Sequence, residues 1–173
     1  MIAKNLEFQT TLNGVTMPVL VLWGLTAPDK DDLFAIVHDE LLQRGWVHET
    51  YLEGVRQREQ VYPTGLDFGD FAVALPHVDC EHVIRSALVM ALVEEPLHFQ
   101  AMDDPAQSLA CRLAIFPVLA SSGDQLIFLS AVTTALQQPG FYERIIQQES
   151  PEAAAAMLDR MFSSYRKEEE PAH

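Results

Sequence analysis

Cysteine, long apolar runs and positive charge are all scarce in this chain. Cys80 and Cys111 are the only two cysteines among 173 residues and show no framework spacing, so a disulfide scaffold is excluded and a reducing cytosol is the expected setting. No apolar run approaches the roughly 20 residues that a bilayer-crossing helix needs. Met1 to Thr10 lacks the basic-then-apolar pattern of a secretory signal, which makes a soluble, cytoplasmic chain without direct membrane insertion the expectation. Lys and Arg number 11 against 25 Asp and Glu, a formal net charge of −14. Such a field solubilises the surface, repels nucleic acid and anionic lipid, and steers basic protein partners inward. There is no Gly-rich phosphate loop for direct use of ATP and no G-x-S-x-G elbow, and neither cysteine has an evident base partner. No repeat, low-complexity stretch or linker divides the chain. Residues 1–165 are expected to form one domain with its own core, and the charged segment 166–173 is expected to fray.

What is present alternates between strand and helix patterns. Val15 to Gly24 is a Val- and Leu-rich strand candidate. Leu33, Phe34, Val37, Leu41 and Leu42 recur at helical spacing, predicting a helix from about Asp29 to Arg44 that Gly45 terminates. Thr50 and Glu53 have capping-box spacing before a helix over Tyr51 to about Val61, which Pro63 stops, and Pro63-Thr64-Gly65 reads as a turn. Phe71, Val73 and Leu75 alternate with alanines in a strand that Pro76 ends. Ser86 to Val93 and Cys111 to Leu119 are further buried strands, with a short one at Leu97 to Gln100. Ser122 and Gln125 repeat the capping-box spacing before a helix that Pro139 breaks; Phe141 to Gln148 is a shorter helix, and Ser150-Pro151 starts the last one. The sum is a three-layer α/β/α sandwich, with helices on both faces of a mixed sheet of about four to five strands.

Ligands of such sheets gather at strand ends, which singles out His77 at the exit of the Phe71–Leu75 strand. A neutral imidazole, with an unperturbed pKa of about 6.5, is a nucleophile at cytosolic pH. The run His77-Val78-Asp79-Cys80-Glu81-His82 holds metal-ligating types, but all lie within six residues and no second pair at finger-like spacing completes a tetrahedron. Neither a metal nor a cofactor is therefore expected. His38, His48, His98 and His173 read as structural or solvated.

The block from Arg58-Glu59 through Pro63-Thr64-Gly65 and Phe71–Leu75 to Pro76-His77 resembles the IIA components of the bacterial phosphoenolpyruvate-dependent sugar phosphotransferase system, in the fructose and mannitol superfamily. Within it, the chain is similar to the galactitol type: the Thr64-Gly65 to Pro76-His77 interval is long, and Val47–Thr50, Leu97–Gln100 with Asp103-Asp104, and Leu136–Pro139 have counterparts there.

The resemblance implies a protein-histidine phosphotransferase. Its histidine, here His77, takes a phosphoryl group from phospho-HPr and passes it to a IIB component that works with membrane IIC in sugar uptake, a galactitol-like sugar alcohol being the implied cargo. It also implies Nε2 as the phosphorylated nitrogen and places Arg58 near the acceptor, where a guanidinium can hold phosphate oxygens with two donors. The alternative for Arg58 is a surface ion pair with Glu59 or a nearby acid. Thr64 offers a hydroxyl hydrogen bond, and a helix opening near Ser122 offers N–H groups that favour an anion by roughly 0.3–1 kcal/mol. The relatives carry a second histidine where this chain has Gln125, which either bonds the imidazole or caps its helix; His82 is the other substitute. For docking HPr, the expected rim is Asp67, Asp70 and Asp79 around an apolar depression. A regulatory relative that binds partners according to His77 phosphorylation is the other reading.

Overall fold

The computed structural model describes residue 2, residues 4–12 and residues 14–165; the expected fraying of 166–173 falls outside the described residues. Strands β1 (Lys4–Leu12) and β2 (Val15–Leu25) form a hairpin, followed by helices α1 (Lys30–Gln43) and α2 (Tyr51–Val61). Short strands β3 (Gly65–Asp67) and β4 (Ala72–Ala74) precede a 3-10 turn at Cys80–His82 and the long pair β5 (Ala87–Gln100) and β6 (Ser108–Val118). Helices α3 (Asp124–Gln137), α4 (Phe141–Ile146) and α5 (Pro151–Ser164) complete the order.

One mixed sheet runs β1-β2-β5-β6-β4-β3. The β2–β5 and β4–β6 pairs are parallel and the other three antiparallel. Side chains alternate across a strand, so β2 sends Leu20 and Leu22 to one core and Val19 and Val21 to the other. The first core joins Leu33, Phe34, Val37 and Leu41 of α1 to Tyr51 and Val55 of α2. The second takes Phe128 and Val132 of α3, Ile145 of α4, and Leu158 and Phe162 of α5. The expected α/β sandwich is thus present, but with six strands rather than four to five.

The two extra strands lie at the sheet edges. β1 alternates half-buried Leu6 and Phe8 and buried Thr10 and Leu12 with exposed residues, a period-two pattern that the threonine dilutes in the sequence. β3 is three residues long and begins at Gly65, the last residue of the expected Pro63-Thr64-Gly65 turn. The strands expected at Ser86 to Val93 and at Leu97 to Gln100 are one continuous strand, whose pairing register with β6 shifts between Leu92 and Leu97. Pro96 lies in that interval, where a missing N–H is tolerated.

Both capping-box readings fail. Thr50 makes no side-chain cap bond to α2, and the N-cap of α3 is Gly123, which has no side chain to offer one. By contrast, Asp29 and Ser150 cap α1 and α5 by accepting from the N–H groups of Asp32 and Ala153.

Gly65 is where two strands crowd each other. A Cβ built there would lie 2.7 Å from the Gln100 carbonyl oxygen, whereas at Gly123 the nearest atom is 3.8 Å away. Gly65→Ala is therefore expected to cost about 1–3 kcal/mol in denaturant unfolding, and Gly123→Ala to stay within about 0.5 kcal/mol of the wild type. Equal stabilities of the two variants would contradict this packing.

Candidate functional site

β4 delivers His77 to the site. Val73 and Ala74 pair with Leu113 and Ala114 of β6 in parallel, so β4 and β6 end on the same side of the sheet. The chain leaves β4 through buried Leu75 and Pro76, and His77 emerges half-buried. Its Nδ1 lies 2.9 Å from the Leu75 carbonyl oxygen. A carbonyl only accepts, so Nδ1 carries the hydrogen and Nε2 keeps the lone pair. Burial holds the pKa of His77 below its ordinary value, with the Arg58 charge acting in the same direction; the Leu75 carbonyl and Asp79 oppose them. The ring is therefore a neutral nucleophile at pH 7.

His77 borders a cavity of about 220 Å³ together with Asp79, Cys80, Ser121, Ser122 and Gln125. Pro117 and Leu119, at the end of β6, give it an apolar wall. The volume accommodates several waters, and so a phosphoryl group. The α3 N-terminus adjoins it: the N–H groups of Asp124 and Gln125 make only long bonds, 3.3 and 3.4 Å, to the carbonyls of Ser121 and Ser122. These donors form the positive end of the α3 dipole, which favours an anion.

Arg58 reaches across from the last turn of α2. Its guanidinium donates to Asp79 Oδ1 at 2.6 Å and lies over the Tyr62 ring, 5.5 Å from the centroid, while its buried Nε has no partner. The ion pair is thus with Asp79, two residues beyond His77, and not with Glu59. Thr64 is placed differently from expectation. Its hydroxyl is buried and donates to Glu59 Oε2 at 2.7 Å, so it does not turn toward the cavity.

Gln125 shares the cavity with His77, as a helix-capping residue need not. His82 does not share it: its Nδ1 is 2.8 Å from the Thr50 hydroxyl and its ring packs on Gly54 of α2. That contact also explains why Thr50 leaves α2 uncapped. Of the expected acidic rim, only Asp79 borders the cavity. Asp67 and Asp70 flank the β3–β4 turn, at the opposite end of β4 from His77, where Asp67 Oδ1 accepts from the Gly69 N–H. The Leu75 carbonyl carried no signal in the sequence, since every residue has one. Glu59 was visible only as part of a motif, yet it is buried at 2% exposure and bonded twice to Thr64.

Residues 16–161 match the sequence profile described as phosphoenolpyruvate-dependent sugar phosphotransferase system, EIIA 2. The chain belongs to this family. As an EIIA chain it is a phosphocarrier of that system. The galactitol-specific EIIA component of Escherichia coli K12 is 30% identical over 123 residues, covering 71% of this chain and 81% of that protein. The fructose-specific EIIA component of Haloferax volcanii is 30% identical over 147 residues, 83% and 92% of the two chains. The fold is that of the IIA mannitol crystal structure from Escherichia coli, with a TM-score of 0.65 at 22% identity over 80% of this chain and 94% of that one. The complex of enzyme IIA mannitol with phosphorylated enzyme IIB from the same organism matches at 0.64 and 22%, over 80% and 92%. Among the described residues of this EIIA chain, no helix is long and apolar enough to cross a membrane.

The direction of the His77 shift is measurable. An NMR titration of the imidazole should give a midpoint below about 6.5, and Arg58→Gln should raise that midpoint by removing a nearby positive charge. A wild-type midpoint above 6.5, or a fall in the variant, would contradict the electrostatics described.

Proposed function

We propose that Nε2 of His77 accepts the phosphoryl group of phospho-HPr and hands it to a IIB component, which acts with membrane IIC in the uptake of a galactitol-like sugar alcohol. The observation that carries this reading is the Nδ1–Leu75 carbonyl bond, which leaves Nε2 as the free nitrogen of a ring bordering the cavity. The galactitol-specific relative supports the cargo, and the IIA–phospho-IIB complex of a like-folded protein supports the acceptor.

In the forward step the Nε2 lone pair forms a P–N bond as the P–N bond of phospho-HPr breaks, and the HPr imidazole leaves with the electron pair. The transition state is loose and spreads charge over the equatorial oxygens, so positioning and charge stabilisation dominate. Arg58 is the nearby cation for those oxygens. Its pair with Asp79 lies at the surface, with the Arg58 side chain half-buried and Asp79 exposed, and is worth about 0–1 kcal/mol, so an arriving phosphoryl group competes for it at low cost. Ser121 and Ser122, which lead into α3, and Gln125 line the other wall. Once Nε2 is phosphorylated while Nδ1 keeps its hydrogen, the ring is cationic; the Leu75 carbonyl stabilises that charge, and the imidazole can leave as a neutral base when IIB attacks.

Docking falls on the surface around the site. Leu126, 77% exposed, follows Gln125 on α3, and exposed Val61 and Tyr62 end α2 beside Arg58. With Asp79 at the rim and a net charge of −14, this surface suits a partner with an apolar patch ringed by basic residues.

Incubation with phosphoenolpyruvate, enzyme I and HPr should add one acid-labile, base-stable phosphoryl group, lost in His77→Ala; a label that persists in that variant removes His77 as acceptor. The labelled protein should then lose its label rapidly to a matching IIB, and a failure to transfer would favour the regulatory role instead. The affinity for HPr should weaken as ionic strength rises, and a constant affinity would count against electrostatic steering.

A further inference from the structure

The last turn of α2 grips the His77 segment on both sides. Arg58 holds Asp79, two residues after His77. Its neighbour Glu59 holds the segment before it by a longer route. Glu59 Oε1 accepts from the Thr64 N–H at 3.0 Å and Oε2 from the Thr64 hydroxyl at 2.7 Å. The Thr64 carbonyl in turn accepts from the Leu75 N–H at 3.2 Å, and the Leu75 carbonyl accepts from His77 Nδ1 at 2.9 Å. Four hydrogen bonds thus run from a buried carboxylate to the imidazole.

We propose that Glu59 is a positioning residue for phosphoryl transfer, one that fixes the Thr64 backbone and through it the Leu75 carbonyl that selects the His77 tautomer. A buried carboxylate is costly unless its hydrogen bonds are made. Both of those recorded for Glu59 come from Thr64, and burial, the dominant influence on its pKa, pushes it up against them. An apolar residue of similar size would fill the same space without that desolvation cost, but it would leave the Thr64 N–H without its acceptor in a buried turn. What the carboxylate supplies, and a leucine would not, is a fixed orientation of Thr64 and hence of Leu75. Displacements of about 1 Å at a reacting centre can cost 100-fold in rate, so the effect belongs in turnover and not in affinity for the donor.

This inference rests on His77 being the acceptor, and the test keeps the two claims apart. Phosphorylation by phospho-HPr is followed in the full chain for Glu59→Ala, Glu59→Gln, Thr64→Val and Thr64→Ser, and the 15N shifts of His77 are read in each. The wild type should show hydrogen on Nδ1. Glu59→Ala should lower kcat about tenfold or more, leave KM for phospho-HPr within about twofold of the wild type because the ligand-facing surface is untouched, and move the ring toward a mixture of tautomers. Glu59→Gln should recover most of the rate, since its amide oxygen accepts the Thr64 N–H and its NH2 donates to the Thr64 hydroxyl. Thr64→Ser should resemble the wild type, and Thr64→Val, which removes one link and keeps the shape, should shift both readouts in the direction of Glu59→Ala. If Glu59→Ala does not fold, Thr64→Val decides. A wild-type tautomer and rate in folded Glu59→Ala, or in Thr64→Val where the first does not fold, overturns the proposal. So does a rise in KM with kcat unchanged. Should the label reside elsewhere than His77, the nitrogen shifts still judge Glu59.

Discussion

The bond between His77 Nδ1 and the Leu75 carbonyl ties the chemistry of the site to the sheet. An imidazole has two nitrogens, and which of them is nucleophilic is decided by what the other one is bonded to. Here the decision is made by a backbone atom at the exit of β4, and β4 is itself held against β6 by parallel pairing. In the transfer we propose, the carbonyl serves both halves of the cycle. It fixes the neutral ring with its lone pair on Nε2, and it stabilises the cationic ring that forms when Nε2 carries phosphorus. Burial works against that cation and holds the pKa of His77 low, which keeps the phosphorylated ring a good leaving group as well as keeping the free ring a good nucleophile.

Much of this was legible in the sequence. The position of His77 followed from the strand pattern of Phe71 to Leu75 and from the proline that ends it, and α1, α2 and α5 were visible from apolar periodicity and breakers. Those signals are strong because they reflect buried faces, which period and proline report directly. The edges of the sheet were less legible: in β1 a threonine interrupts the alternation of Leu6, Phe8 and Leu12, and β3 is too short for any periodicity to show. The two capping boxes misled for a specific reason. A serine or threonine three residues before a glutamine or glutamate is compatible with a cap, but the Thr50 hydroxyl bonds His82 instead, and α3 starts one residue later than the spacing of Ser122 and Gln125 implies, with Gly123 at its N-cap.

The site residues show the same division. Arg58 and Thr64 were named for contact with phosphate because their side chains have the right donors, yet donor type says nothing of what a side chain meets first. Arg58 meets Asp79 and remains beside the site; Thr64 meets Glu59 beneath it. Asp67 and Asp70 were grouped with Asp79 by proximity in sequence, and the β3–β4 turn carries them to the far end of a three-residue strand. The choice between Gln125 and His82 was open for the same reason: a distance of five residues from His77 is shorter in sequence than the path from His77 to Gln125, but the 3-10 turn at Cys80–His82 directs the His82 ring toward α2.

A carrier has to bind its phosphoryl group well enough to accept it and poorly enough to release it, and with His77 as the acceptor we propose, its surroundings are balanced in that sense. On the attractive side stand one guanidinium, already shared with Asp79, and the uncapped start of α3, worth roughly 0.3–1 kcal/mol. On the repulsive side stand Asp79 itself, Asp124 in the first turn of α3 and a chain whose net charge is −14. A second, unpaired cation would deepen the well for phosphate and slow its departure to the next protein. Gln125 at the cavity wall acts the other way, because an amide supplies a hydrogen bond with no titrating charge. Around His77, the Arg58 charge and the dipoles of α3 and Gln125 stay fixed across the pH range in which the imidazole itself titrates.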